Sequence, residues 1–140
     1  MLGSDMLSAK PASKKVRAAI ISHFGLPSDV EVLNCKAVHI SCRLVQIGDC
    51  VAYRHTSGRL GFGQVYAHVS VSGEALTCVS DWPVSEFCEY FAKCCVQEKP
   101  EMISTSSLIE SCVFYNASPG NVSHVLFPPR LKQRAGIKLA

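Results

Sequence analysis

The chain has 140 residues, 48% of them hydrophobic and 18% charged, with a formal net charge of +3. That balance excludes an intrinsically disordered chain, and the length suits one domain with its own core. No apolar run reaches the roughly 18 residues that a membrane-spanning helix needs, so no membrane partner is expected.

The charge is unevenly spread. Residues 1–17 sum to +3, and residues 130–140 sum to +4 through Arg130, Lys132, Arg134 and Lys138. The stretch between them, 18–129, sums to −4. Basic ends around an acidic body can touch phosphate or an acidic partner surface; the plainer reading is a pair of solvated tails. The opening "MLGSDMLSAKPASKKVRAAI" lacks the basic, apolar, small-residue order of a secretory signal. An intracellular chain, nuclear or cytoplasmic, is therefore expected, with its eight cysteines as buried thiols and not a disulfide framework. The Ala, Ser and Lys content of the start leaves an organellar transit peptide as the alternative.

In chain order, residues 1–12 read as a flexible lead-in. Ser13 stands where a helix N-cap would, before "KKVRAAIISHF". Val16, Ala19, Ile20 and Phe24 form one apolar face, Lys14, Lys15 and Arg17 fall on the wet side, and Gly25 and Pro27 supply the stop. From Val30 the texture turns strand-like, and a meander is expected over about 44–82: "DCVAYRH", "FGQVYAHVSV" and "EALTCVSDW". "TSGRLG" and Ser72-Gly73 are the hairpin signals between them, the second being the firmer. "VSEFCEYFAKCCVQEK" fits either a helical turn or a strand, and Pro100 ends it. "SLIESCVFYN" (107–116) and "NVSHVLF" (121–127) read as a final strand pair around "ASPG". The expected fold is mainly β: a small, strongly bent β-barrel with a short N-terminal helix. A single β-rich domain spans 13–129, with its barrel core at about 44–127, and a basic tail occupies 130–140.

"GFGQVY" (61–66) resembles the glycine-rich loop of protein kinases. That chemistry also needs a lysine on the next strand, a catalytic Asp and an Asp-Phe-Gly segment. The next lysine after Tyr66 is Lys93, beyond the following hairpin, and no such segments exist. A hairpin explains the glycines better: Gly58 supplies a positive φ, and Gly61 and Gly63 permit a bulge or a close backbone approach.

Zinc would draw on Cys35, His39, Cys42 and Cys50, or on Cys88, Cys94 and Cys95. No C-x-x-C knuckle is present, and adjacent Cys94 and Cys95 point to opposite faces of a strand. No metal or cofactor is therefore expected. Chance Cys–His pairings are plentiful among five histidines and eight cysteines, and no G-x-S-x-G elbow occurs. The sequon at Asn121 is idle without export. Among the aromatics, most belong to a core, while Trp82, Tyr53 and Tyr66 are the candidate partner contacts.

"VQIGDCVAYR", "GFGQVYAHV", "ALTCVSDWPV" and "MISTSSLIESCVFY" together resemble a diverged BAH domain over about 44–127. That resemblance implies a chromatin module that binds histone tails or partner proteins. The Arg-Pro-rich segment usual after the Trp is replaced by "PVSEFCEYF". The same rhythm is similar to accessory domains of mobile-element proteins. Both resemblances imply a non-catalytic interaction module, with a protein partner at Trp82, Tyr53 and Tyr66 and nucleic acid within reach of the tail. A small thiol-dependent enzyme or zinc protein, and a structural subunit of a larger assembly, are the alternatives.

Overall fold

The computed structural model describes residues 4–7, 10–40, 43–117, 120–129 and 131. Two short strands come first, β1 (Ser4–Leu7) and β2 (Lys10–Pro11), in the segment expected as a loose lead-in. Each is recruited by a later strand, which gives its backbone groups partners.

Helix α1 (Lys14–Phe24) begins where Ser13 caps it, with Val16 N donating to Ser13 Oγ at 3.2 Å. It ends at Gly25, whose left-handed backbone lets its N–H reach the Ile21 carbonyl. The buried stripe differs from the expected one. Ile20 is buried, with Ile21 and Phe24 packed beside it, while Val16 and Ala19 are exposed. Arg17 is drawn inward because its guanidinium donates to the carbonyls of Ser28 and Val30, tying the helix to the chain that follows.

Six strands follow: β3 (Val32–Cys35), β4 (Ala37–Ile40), β5 (Arg43–Gln46), β6 (Cys50–Arg54), β7 (Leu60–Val71) and β8 (Glu74–Asp81). The β7–β8 connection is the two-residue turn Ser72-Gly73, both with positive φ (52° and 85°), as its hairpin signal predicts. The ambiguous segment after Trp82 resolves as a hairpin, β9 (Val84–Phe87) and β10 (Phe91–Cys95). Then come β11 (Pro100–Ser104), the 3-10 turn Thr105–Ser107, and β12 (Leu108–Cys112). The chain changes sheet at Val113, so the run 107–116 is divided. Its second part, β13 (Phe114–Ala117), pairs with β14 (Val122–Leu126).

The central sheet runs β12–β6–β7–β8–β11, antiparallel throughout, and β3 with β2 extends it along the second half of β7. Successive strands β11 and β12 thus lie at opposite edges, joined only by the 3-10 turn. Among the described residues no ladder joins them, so the sheet curls without closing. A second sheet, β13–β14–β10–β9, and a third, β1–β4–β5, complete the architecture. No described helix is long and apolar enough to cross a membrane.

The inner face of the curl holds Val51, Tyr53, Val65, Val79, Ile103 and Leu108, covered by Val38 and Val45 of the third sheet. Three of its polar members are paired: His68 contacts Thr77 Oγ1 (2.9 Å) and the Val45 carbonyl (3.1 Å), and Thr77 contacts Thr105 (2.9 Å). A ring nitrogen facing a carbonyl must donate, so Nε2 carries the proton and Nδ1 accepts from Thr77. Burial lowers the His68 pKa, in keeping with a neutral ring. The outer face is covered twice. The second sheet covers Ala52, Leu60, Phe62 and Trp82, and α1 covers Val69, Val71 and Cys78.

Gly61 and Gly63, both in β7, serve packing. A Cβ on Gly61 would stand 2.5 Å from His55 Nε2, and one on Gly63 would collide with the Ser80 carbonyl across the β7–β8 ladder. Gly63→Ala is expected to cost about 1–3 kcal/mol, because the clash is with backbone that cannot rotate away. Urea denaturation measures this, and an unchanged midpoint would refute it.

Candidate functional site

On β8, successive outer-face residues are Leu76, Cys78, Ser80 and, just past the strand, Trp82. The first two lie under α1 and the last under the second sheet. Ser80 falls in the gap. On β7 the gap is matched by Gln64 and Tyr66, where the register shifts between Val65 and Ala67. The extra residue is Tyr66, and such a bulge re-aims a side chain out of the ladder.

The result is a groove of about 1050 Å³. Its helix wall is Ala19, Ile20, His23 and Phe24, and its opposite wall is Val96, Gln97, Glu98 and Asn121. Ile47, Gly48 and Pro100 also border it. Apolar surface interspersed with a few polar groups is the composition of a binding cleft. The helix residues Val16 and Ala19, expected in the core, are solvent-exposed, and Ala19 takes its place in this wall.

The three aromatic candidates fare differently. Tyr66 is 42% exposed, lines the groove, and has its hydroxyl bonded to Cys78; partial burial, then that thiol, raise its pKa. Trp82 is only 2% exposed, its ring set edge-on to Phe114 at 5.4 Å between centroids. It contributes to the groove floor but is chiefly core. Tyr53 is fully buried on the inner face and cannot touch a partner there. Both are drawn inside because a large ring is the cheapest way to fill a curled sheet. The tail residues Arg130, Lys132, Arg134 and Lys138 lie outside the described residues.

A second constellation sits at the rim of the inner face. The Tyr53 hydroxyl donates to Asp81 Oδ1, and Asp81 is 7% exposed at its side chain. Burial, then the Asp81 bond, drive the Tyr53 pKa well above its ordinary value. His55, in the turn after β6, lies 3.3 Å from Asp81 through Nε2 and 3.7 Å from Glu101 through Nδ1. Arg59 Nη2 lies 3.0 Å from His55 Nε2. Sequence reasoning missed this group because its members come from three strands and no spacing links them. Gly61 was the one available signal, since a strand glycine often marks a close approach.

Cys42 lies outside the described residues, and five of the other seven cysteines are buried. Cys50 and Cys112 face each other across the β6–β12 ladder with Cys94 nearby, all three buried among apolar side chains. Burial pushes Cys94 and Cys112 up to about 12, and Cys50 higher still. Such thiols are protonated and poor nucleophiles at neutral pH. Among the described residues, the proposed Cys/His clusters do not converge on a set of three ligand atoms.

Comparison with protein-family models finds none that matches the chain, and comparison with curated proteins finds no match.

Native labelling with a thiol reagent is expected to modify exposed Cys95 and to spare Cys50, Cys94 and Cys112 until unfolding. Stability should also fall in alkali. Unfolded thiols ionise from about pH 8.5 but the folded ones only near 12, so the unfolded state binds fewer protons between these values. Urea midpoints at about pH 8 and about pH 10.5 test the sign; a higher midpoint at the alkaline value would contradict it.

Proposed function

We propose that the chain is a non-catalytic interaction module that seats an extended segment of a protein partner in the groove between α1 and the second sheet. The observation that carries this reading is Tyr66. A large amphipathic ring, turned out of its ladder by a bulge, stands half-exposed on the floor of an apolar cleft. Aromatic anchors in pockets are where binding energy concentrates. Ile20 and Phe24 offer apolar contact for side chains, while Gln97, Glu98 and Asn121 offer hydrogen bonds to an extended backbone.

The small-barrel reading is supported by the strand order, in which the 3-10 turn bridges the two edges of a curled sheet. The BAH-like resemblance of 44–127 agrees with a protein-binding role, and a chromatin partner remains part of the proposal. The basic tail is assigned phosphate or an acidic partner surface by its charge alone. The high thiol pKa values and deep burial of Cys50, Cys94 and Cys112 argue against a thiol-dependent enzyme built on them.

The test is to pan displayed unstructured peptides against the protein and titrate those selected. Trp82, the only tryptophan, provides fluorescence from the groove floor. Selected peptides are expected to shift that emission and to bind Tyr66→Ala at least about fivefold more weakly. Peptides that bind wild type and Tyr66→Ala equally, with silent Trp82 emission, would move the interface elsewhere.

A further inference from the structure

We infer that His55, Asp81 and Glu101 form a binding site for a first-row divalent cation, independent of the groove. The register of the central sheet brings the three together. Tyr53 pairs with Gly61, Gly63 with Asp81, and Val79 with Glu101, so the end of β6, the end of β8 and the start of β11 present their inner-face residues at one corner. One ligand atom from each residue lies within 4.8 Å of the other two. Donors on a tetrahedral ion with bonds near 2.1 Å stand about 3.4 Å apart. The His55–Asp81 separation of 3.3 Å already meets that spacing. Glu101 now faces the other ring nitrogen at 3.7 Å, and its side chain, 31% exposed, has the freedom to pivot the remaining distance.

A second observation points to a cation. Arg59 Nη2 at 3.0 Å and Asp81 Oδ1 at 3.3 Å both face His55 Nε2, and one ring nitrogen cannot accept from the guanidinium and donate to the carboxylate at once. Whichever tautomer the ring adopts, one of these two contacts is left without its hydrogen bond. With the lone pair on Nε2, the nitrogen and the carboxylate oxygen are two acceptors that a cation bonded to both would satisfy. Arg59, exposed on the β6–β7 turn, supplies charge from outside. A metal ion bonded to both donors at the corner would supply it directly.

The surroundings are those of a built site. Asp81 is largely buried and oriented by the Tyr53 hydroxyl, and the imidazole lies against Gly61, where a Cβ would displace it. Oriented ligands with a hydrogen-bonded outer shell are the usual support of a metal site. One imidazole and two carboxylates without a thiolate suit Mn²⁺ or Zn²⁺. Three protein donors leave further positions for water, and the ion would clamp the β6–β7 turn onto β8 and β11.

The experiment is a Mn²⁺ titration of the full, reduced chain, followed by the electron paramagnetic resonance of the free ion. Mn²⁺ is chosen because the eight cysteines compete for it less than for Zn²⁺. One site is expected in wild type. It should be lost in His55→Ala and in Glu101→Gln, whose partly exposed position makes the folded state easy to retain. Tyr53→Phe should weaken binding about tenfold, as loss of an outer-shell bond does. Arg59→Ala should strengthen it by removing the competing cation. Circular dichroism of each metal-free variant separates lost binding from lost folding. Absence of Mn²⁺ binding in both wild type and Arg59→Ala would overturn the proposal and leave a His55–carboxylate ion pair. Equal binding by wild type and folded Glu101→Gln would overturn it too.

Discussion

The bulge at Tyr66 allows one strand of twelve residues to serve two neighbours and two covering layers. Before it, β7 pairs with β6 and turns Leu60 and Phe62 to the second sheet; after it, β7 pairs with β3 and turns Val69 and Val71 to the helix. Strand side chains alternate with a strict period of two, so a single residue decides which face each occupies. Without the extra residue, Val69 and Val71 would point into the curl and His68 would lie under an apolar helix. With it, His68 enters the polar chain with Thr77 and Thr105, and the valines meet Ile20. The groove is a product of the same geometry, because the bulge falls between the two coverings.

The inner face follows a simple electrostatic plan. Its middle is aliphatic, and polar groups gather at two places. His68, Thr77 and Thr105 link β7, β8 and the 3-10 turn, while Tyr53, Asp81 and His55 occupy the opposite rim. A buried carboxylate such as Asp81 is tolerable only with a partner, and the Tyr53 hydroxyl donates to it. That requirement explains why a tyrosine, and not a phenylalanine, fills position 53. Its ring belongs to the core and its oxygen to the carboxylate.

Much of the architecture was legible in local chemistry. Ser13 and Gly25 bounded the helix, and Ser72-Gly73 fixed the hairpin, because caps and tight turns depend on residues adjacent in sequence. The division at Val113 was not legible, since "SLIESCVFYN" alternates smoothly and only the positions of β6 and β14 dictate the change of sheet. Arg17 was misread for a related reason: its partners are the carbonyls of Ser28 and Val30, on the far side of a loop. Of the candidate contacts, Tyr66 lies half-exposed in the groove, while Tyr53 and Trp82 are buried. Aromatic residues in strands carry the same local signature whichever face they occupy, and the face was set by pairings that lie far apart in the chain.

The pairing of β12 with β6 also bears on how the molecule assembles as it is made. The strand that opens the central sheet must wait for one of the last strands before its outer edge is covered. On a ribosome adding about 5–20 residues each second, the nascent β6–β7–β8 hairpins would stand for seconds with a bare edge of Val51, Ala52 and Tyr53. Long-range closure of this sort slows folding and invites pairing with other chains in the meantime. The curl that shelters the finished core therefore leaves its newest copies most exposed to aggregation.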